Sequence, residues 1–369
     1  MKIPLSAPDI TEAEIEAVVA VLRSSRLSLG PVTEQFEAQV AATVSVPHAI
    51  AVSSGTAGLH LCIRALDIGD GDEVIVPSFA FIAAANAIRY ERAMPVFVDI
   101  DPVTLNIDPQ RIEEAITPRT RAIMAVHTFG VPAEMSAILE IAARHGLVII
   151  EDACEAIGAE YEGRKAGSIG HAGVFAFYPN KQITTGEGGV VVTRDEAFAK
   201  RIRALRNQGR YETDDWFQHS ELGYNYRISE INCALGLAQM MRLEEILKKR
   251  EGVACAYHER LSRCPDVVLP PACLRDGRIS WFVYVVRVAL GLNRDGIMKG
   301  MTEAGIGCGR YFAPIHLQPG YAGWRDSGDL TVTVAEAQRT IALPFFNNLG
   351  SEAINQVCET LEKLLVKSL

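Results

Sequence analysis

The sequence of 369 residues is longer than one core usually grows, which predicts a large domain with a smaller companion. Its formal net charge of −9 is spread without long acidic runs and argues against the clustered Lys and Arg of a nucleic-acid or anionic-membrane surface. The eight cysteines form no Cys-x-x-Cys pair or metal-ligand spacing, residues 1–7 lack a signal-peptide pattern, and no apolar run reaches the roughly 18 residues of a membrane span, so the chain reads as cytoplasmic, with reduced thiols and no metal.

Thr11-Glu12-Ala13-Glu14 is a capping-box pattern followed by Ile15, Val18, Val19 and Leu22 at helical spacing, which predicts an N-terminal helix. From His48 onward, short apolar runs alternate with helical stretches: AIAVSS before TAGLHLCIRAL, EVIVPS before FIAAANAIRY, then PVFVDI, RAIMAVH before PAEMSAILEIAARHG, and LVIIED. That alternation predicts βαβ units on a mostly parallel sheet covered on both faces, an α/β architecture that gathers ligands at the carboxyl ends of its strands. After Asp152 two strand-like runs, AGVFAFY and GGVVVT, flank the loop NKQITTGEG. Helical periodicity returns from Asp195 to Leu205 and from Ser229 to Arg260, the second stretch leading out of the large domain. A polar, proline-bearing stretch from Cys264 to Gly277 marks the transition. Beyond it, WFVYVVRVAL and helices near Arg294–Ala304, Ala335 and Ile354 predict a smaller α+β domain. Residues 1–250 are thus assigned to the large domain and 251–369 to the small one.

Three places carry residues suited to chemistry. Asp152 follows the apolar run Leu147 to Ile150, which puts a carboxylate at a strand end, in the ligand crevice, where burial demands a cationic partner; capping the next helix would explain it equally well. Lys181 follows an aromatic β run and precedes a Gly-rich turn, the setting of a loop held still while its backbone passes close to something bulky. A lysine that forms a Schiff base needs a lowered pKa, from desolvation or a neighbouring cation. Ser53 to Gly58, SSGTAG, lies at a strand-to-helix junction, where free amides and a hydroxyl make an anion site; Gly55 and Thr56 could hold a phosphate, or the segment could be a plain Ser/Thr cap. No G-x-x-x-x-G-K-[ST] occurs, and GEGG is not a strand-to-helix G-x-G-x-x-G.

A phosphate site, an acid and a lysine in that order resemble fold-type-I pyridoxal-phosphate enzymes. SGTAGL, PSFAFIAAANAI, FVDID, VIIEDACEAIGA, FAFYPNKQITTGEGG, RNQGR, LGYNYRISEINCALGLAQ and IHLQPGY resemble the DegT-type sugar aminotransferase family over most of the chain. The resemblance implies pyridoxal 5′-phosphate as cofactor. It implies Lys181 as the Schiff-base lysine and proton carrier, Asp152 as the partner of the pyridine nitrogen, and Phe81 as the aromatic on the ring. Thr56 with the amides of Gly55 and Ala57 would form the phosphate cup, and Asn225 would reach the phosphate from a partner subunit, hence a homodimer with shared sites. Two positions depart from the family. Ala176 stands where a phosphate-binding Ser is common, which removes one hydrogen bond. Glu155 stands where Gln or His often meets the cofactor's phenolic oxygen, and is expected to be partly protonated or turned away.

The implied reaction takes an amino group from L-glutamate to a 4-keto or 3-keto sugar on a nucleotide, for polysaccharide or amino-sugar synthesis. Arg310 and His316, in GRYFAPIHLQPGY, and His127, in VHTFG, are candidate substrate contacts. Lys181 argues against the family's dehydratase branch, which has His there. An aminotransferase acting on a cyclitol or on a ring to be aromatized, and a cofactor-binding regulator without catalysis, are the competing readings.

Overall fold

The computed structural model describes residues 2–321 and 328–367. Helix α1 (Glu12–Arg23) opens with the expected capping box, the Thr11 backbone N–H donating to the Glu14 carboxylate at 2.7 Å. Helix α2 (Pro31–Val44) has Pro31 in its first turn and buries Phe36, Val40 and Val44, a helically spaced stripe. The alternating segment then forms β1 (His48–Val52), α3 (Gly55–Ala65), β2 (Glu73–Pro77), α4 (Ala83–Tyr90), β3 (Met94–Val98), α5 (Pro109–Ala115), β4 (Thr120–Val126), α6 (Met135–His145) and β5 (Val148–Asp152). Two short strands, β6 (Glu160–Tyr161) and β7 (Arg164–Lys165), precede β8 (Ala172–Ala176), β9 (Gly189–Thr193), α7 (Glu196–Arg206), α8 (Glu230–Met241) and α9 (Leu243–Leu261). The rest comprises β10 (Val267–Val268), β11 (Gly277–Arg278), β12 (Tyr284–Val288), α10 (Arg294–Glu303), α11 (Thr331–Ala337), β13 (Thr340–Leu343) and α12 (Ser351–Lys367).

The main sheet has seven strands in the order β1-β9-β8-β5-β4-β2-β3. Strands β8, β5, β4, β2 and β3 are parallel, and β9 runs against both of its neighbours. Because β9 reverses direction, the loop between β8 and β9 lies at the carboxyl end of β8, next to the end of β5. Lys181 and Asp152 therefore share one edge of the sheet. Apolar clusters cover both faces, one built with α3, α4 and α7 and others with α2, α8, α5 and α6. This is the α/β architecture of fold-type-I enzymes.

Two expectations are corrected. The periodicity from Ser229 to Arg260 is not one helix: α8 and α9 break at Arg242 (φ −106°, ψ 6°), whose guanidinium reaches Glu14 on α1 at 2.8 Å. A boundary at residue 250 falls inside α9. Ile246 and Leu247 of that helix pack with Phe175 and Phe177, whereas Tyr257 and Leu261 pack with Tyr284 and Ile341 of the sheet β10-β12-β13. Ile3 also joins this second cluster and bridges to Ile306, so the start of the chain packs with the smaller unit. Among the described residues no helix is long and apolar enough to cross a membrane.

Candidate active site

A cavity of about 340 Å³ opens at the carboxyl edge of the sheet and is lined by Gly55, Thr56, Phe81, Asp152, Glu155, Ala176 and Lys181. These are seven of the residues singled out from the sequence. Each is placed by a local device. Ser54 caps α3, its hydroxyl accepting from the Ala57 N–H at 3.1 Å. That bond engages the Ala57 amide within the chain. The Gly55 and Thr56 amides, ahead of the first helical hydrogen bond, stay free among the described residues. β9 can pass this turn because its first residue is Gly189, where a Cβ would lie 2.6 Å from the Ser54 carbonyl carbon and 2.7 Å from the Gly55 nitrogen.

Asp152 ends β5 with its carbonyl accepting from the His127 N–H at 3.1 Å and Oδ1 accepting from the Cys154 N–H at 3.2 Å. Its carboxylate borders the cavity. The Lys181 loop is pinned by Gln182, whose Nε2 donates to the carbonyls of Glu155 at 2.6 Å and Ser280 at 2.9 Å. Lys181 Nζ lies 3.3 Å from Glu155 Oε1 and 3.9 Å from the centre of the Phe282 ring.

Glu155 is buried but not turned away. Its Oε2 accepts from the Phe129 N–H at 2.9 Å while Oε1 faces Lys181. Burial pushes the carboxyl above its ordinary range, against the pull of the Lys181 charge and the Phe129 N–H, and the negative charge of Asp152 adds to the rise.

The remaining candidates lie elsewhere. His127 is a buried structural histidine, not a substrate contact: Nε2 meets Glu151 Oε2 at 2.8 Å and Nδ1 accepts from the Ala133 N–H at 3.1 Å. Glu151 also accepts from the amides of Gly167, Ile169 and Gly170, so the histidine belongs to a buried network that ties β4 and β5 to the following loop. His316 packs against Ser78, Nδ1 to Oγ 2.6 Å, and Arg310 pairs with Asp295 at 3.1 Å; neither lines the cavity. Asn225 is exposed, bridged through its backbone to Asn207, and away from its own chain's cavity.

Sequence reading missed the aromatic wall. Phe282, Tyr311 and Phe312 line the cavity from the smaller unit, with Tyr178 and Asn180 beside Lys181. Tyr311 stacks on Phe282 with 6.2 Å between centroids and 3° between planes. Tyr311 and Phe312 stand inside the stretch GRYFAPIHLQPGY, next to Arg310, and that was the available signal.

The donor set fits pyridoxal phosphate. Free amides at a helix N-terminus suit a phosphate, a carboxylate suits a ring nitrogen, an amine suits an aldehyde, and Phe81 suits a flat ring. The family model for the DegT/DnrJ/EryC1/StrS aminotransferases matches residues 8–362. The GDP-perosamine synthase of Caulobacter vibrioides is 41% identical over 373 residues, covering 99% of each chain. The Streptococcus pneumoniae protein Spr1654, solved in PMP and PLP forms, is similar at 28% identity with TM-scores of 0.96 and 0.95; all of this chain and 98% or 100% of that one are covered. Helicobacter pylori PseC, an aminotransferase of pseudoaminic acid biosynthesis, matches at 28% identity and TM-score 0.95 over 100% of both chains. With the site geometry, these matches establish that the chain belongs to the DegT/DnrJ/EryC1/StrS family and is a pyridoxal-phosphate-dependent aminotransferase.

Proposed function

We propose that the enzyme moves an amino group from L-glutamate to a keto-hexose carried on a nucleotide, at the 4- or 3-position, for polysaccharide or amino-sugar synthesis. The observation that carries this reading is the meeting of Lys181, Asp152 and the free Gly55 and Thr56 amides around one cavity. The substrate class is supported by the similarity to a GDP-perosamine synthase along the whole chain. The bound cofactor supplies an electron sink at the substrate carbon.

In this reading Lys181 Nζ would carry the proton between the substrate carbon that bears the nitrogen and the cofactor's C4′ carbon, in one direction in the first half-reaction and in the other in the second. Asp152 would keep a proton on the ring nitrogen, Phe81 would pack against the ring, and Gly55 and Thr56 would donate to the phosphate. The wall of Phe282, Tyr311 and Phe312 excludes water from the reacting atoms. The reading includes a homodimer, in which exposed Asn225 serves the phosphate of a second copy.

Purified protein loaded with pyridoxal phosphate is expected to be yellow and to lose that absorbance on adding glutamate. GDP-, UDP- and dTDP-linked keto-sugars, screened in turn, are then expected to restore it for one nucleotide class. A loaded protein that glutamate fails to bleach contradicts this reading and leaves only cofactor binding.

A further inference from the structure

We propose that Glu155 is the proton partner of Lys181: the ammonium at Nζ passes one proton to Glu155 Oε1, leaving a neutral amine and a carboxylic acid, and recovers it on return. No bond other than N–H breaks and none other than O–H forms, so the pair keeps its total charge throughout. The inference rests on the reading of Lys181 as the reacting lysine, which must be unprotonated to attack a carbonyl.

The geometry leaves Lys181 Nζ two neighbours of note, Glu155 Oε1 at 3.3 Å and the Phe282 ring at 3.9 Å. Neither is free to drift. Glu155 is anchored through its other oxygen by the Phe129 N–H at 2.9 Å. Phe282 is anchored through its carbonyl, which accepts from Arg250 Nη2 at 2.7 Å, while Arg250 Nε holds the Trp281 carbonyl at 2.7 Å. A carboxylate and an aromatic face thus form a fixed resting place for the amine when it is not bonded to anything else.

The charge inventory around the pair makes the transfer necessary. The groups facing Glu155 are Lys181, Asp152, Cys154, Tyr311 and the Phe129 N–H. Two buried carboxylates, Asp152 and Glu155, share this space with a single ammonium among the described lining residues, and the third carboxylate of the lining, Glu187, is exposed. If Lys181 became neutral by releasing its proton to solvent, both carboxylates would be left buried without a cation, which is costly. Moving that proton to Glu155 leaves Asp152 as the only buried anion of the lining, where the ring nitrogen would need one. Burial and the Asp152 charge both push Glu155 toward accepting it.

The test uses cofactor-free, full-length protein, so its result is independent of whether glutamate bleaches the loaded enzyme. Trace acetylation with acetic anhydride across pH, read by peptide mass spectrometry, reports the fraction of Lys181 amine that is unprotonated. Glu155→Gln keeps the shape and an acceptor for the Phe129 N–H but cannot exchange a proton. With its acceptor gone, Lys181 is expected to hold its proton to higher pH, its midpoint rising by about one pH unit or more in this variant, and Glu155→Asp to recover part of the shift. Half-exposed Lys165, paired with Glu160, serves as the unchanged control in the same digest. A Lys181 midpoint that falls or stays in Glu155→Gln, with the melting temperature preserved, would overturn the proposal and leave Glu155 as an ion-pair partner of Lys181 and an anchor for Phe129.

Discussion

A Cβ placed on Gly55 would lie 2.6 Å from the Cβ of Ala176, and 2.9 Å from Cys154 Sγ, so the first turn of α3 rests directly on the end of β8. The free Gly55 and Thr56 amides are positioned by that contact. Gly55→Ala is expected to push the turn off its seat, at a cost of about 1–3 kcal/mol in stability and with weaker cofactor binding. Thermal melting and a fluorescence titration with pyridoxal phosphate measure the two effects. A variant indistinguishable from the parent in both would show that the contact positions nothing.

The same contact makes Ala176 the natural place to strengthen the cup. Ala176→Ser adds a hydroxyl beside the Gly55 and Thr56 donors, and a hydrogen bond to a charged group is worth about 1.5–3 kcal/mol. The dissociation constant for pyridoxal phosphate is expected to fall about tenfold. An equal or higher constant would mean that the hydroxyl does not reach the phosphate.

Acid sensitivity is expected to centre on Glu14. Burial pushes this carboxyl up, but hydrogen bonds from Thr11, Arg242 and Gln239 outweigh it and hold the group down at about 2. Since the folded value lies below the ordinary value of 4.5, its contribution is fully present above that pH and is lost as the pH falls towards 2. Glu14→Gln should destabilise the protein at pH 7 and flatten the loss of stability between about pH 4.5 and pH 2. Urea unfolding at several pH values reads the slope, and an unaltered slope would assign the acid response to other carboxylates.

Arg250 is a buried cation whose acceptors are two carbonyls and the Asn347 side chain, at 2.7 to 2.8 Å. Burial lowers its pKa to about 9, a measure of how little water reaches it. Arg250→Met leaves those acceptors unpaired and is expected to cost about 3 kcal/mol or more in stability. Chemical denaturation measures this. A loss below about 1 kcal/mol would show that the carbonyls find water instead.

Much of the architecture was legible because its signals are local. The alternation from His48 to Asp152 maps strand by strand onto β1 to β5, and Lys181, Asp152, Gly55 and Thr56 stand at strand ends that the apolar runs announce. Helix α2 was overlooked although Pro31 and the Val32, Phe36, Val40 spacing declare it. The α8–α9 break escaped because apolar periodicity continues through Arg242, whose turn answers to Glu14, more than two hundred residues earlier. Phe282 was illegible as a site residue for a similar reason: an aromatic in an apolar run looks like core until the fold sets it against Lys181.

Helix α9, with 19 residues, runs about 28 Å and is anchored by Leu247 in one core and by Tyr257 and Leu261 in the other. It acts as a common axle. Melting either core frees half of a helix that the other core still needs, so the loss of one is transmitted to the second. The chain should accordingly lose its fold in a single concerted transition rather than one unit at a time, and a wall residue such as Phe282 keeps its place over Lys181 only while both cores stand.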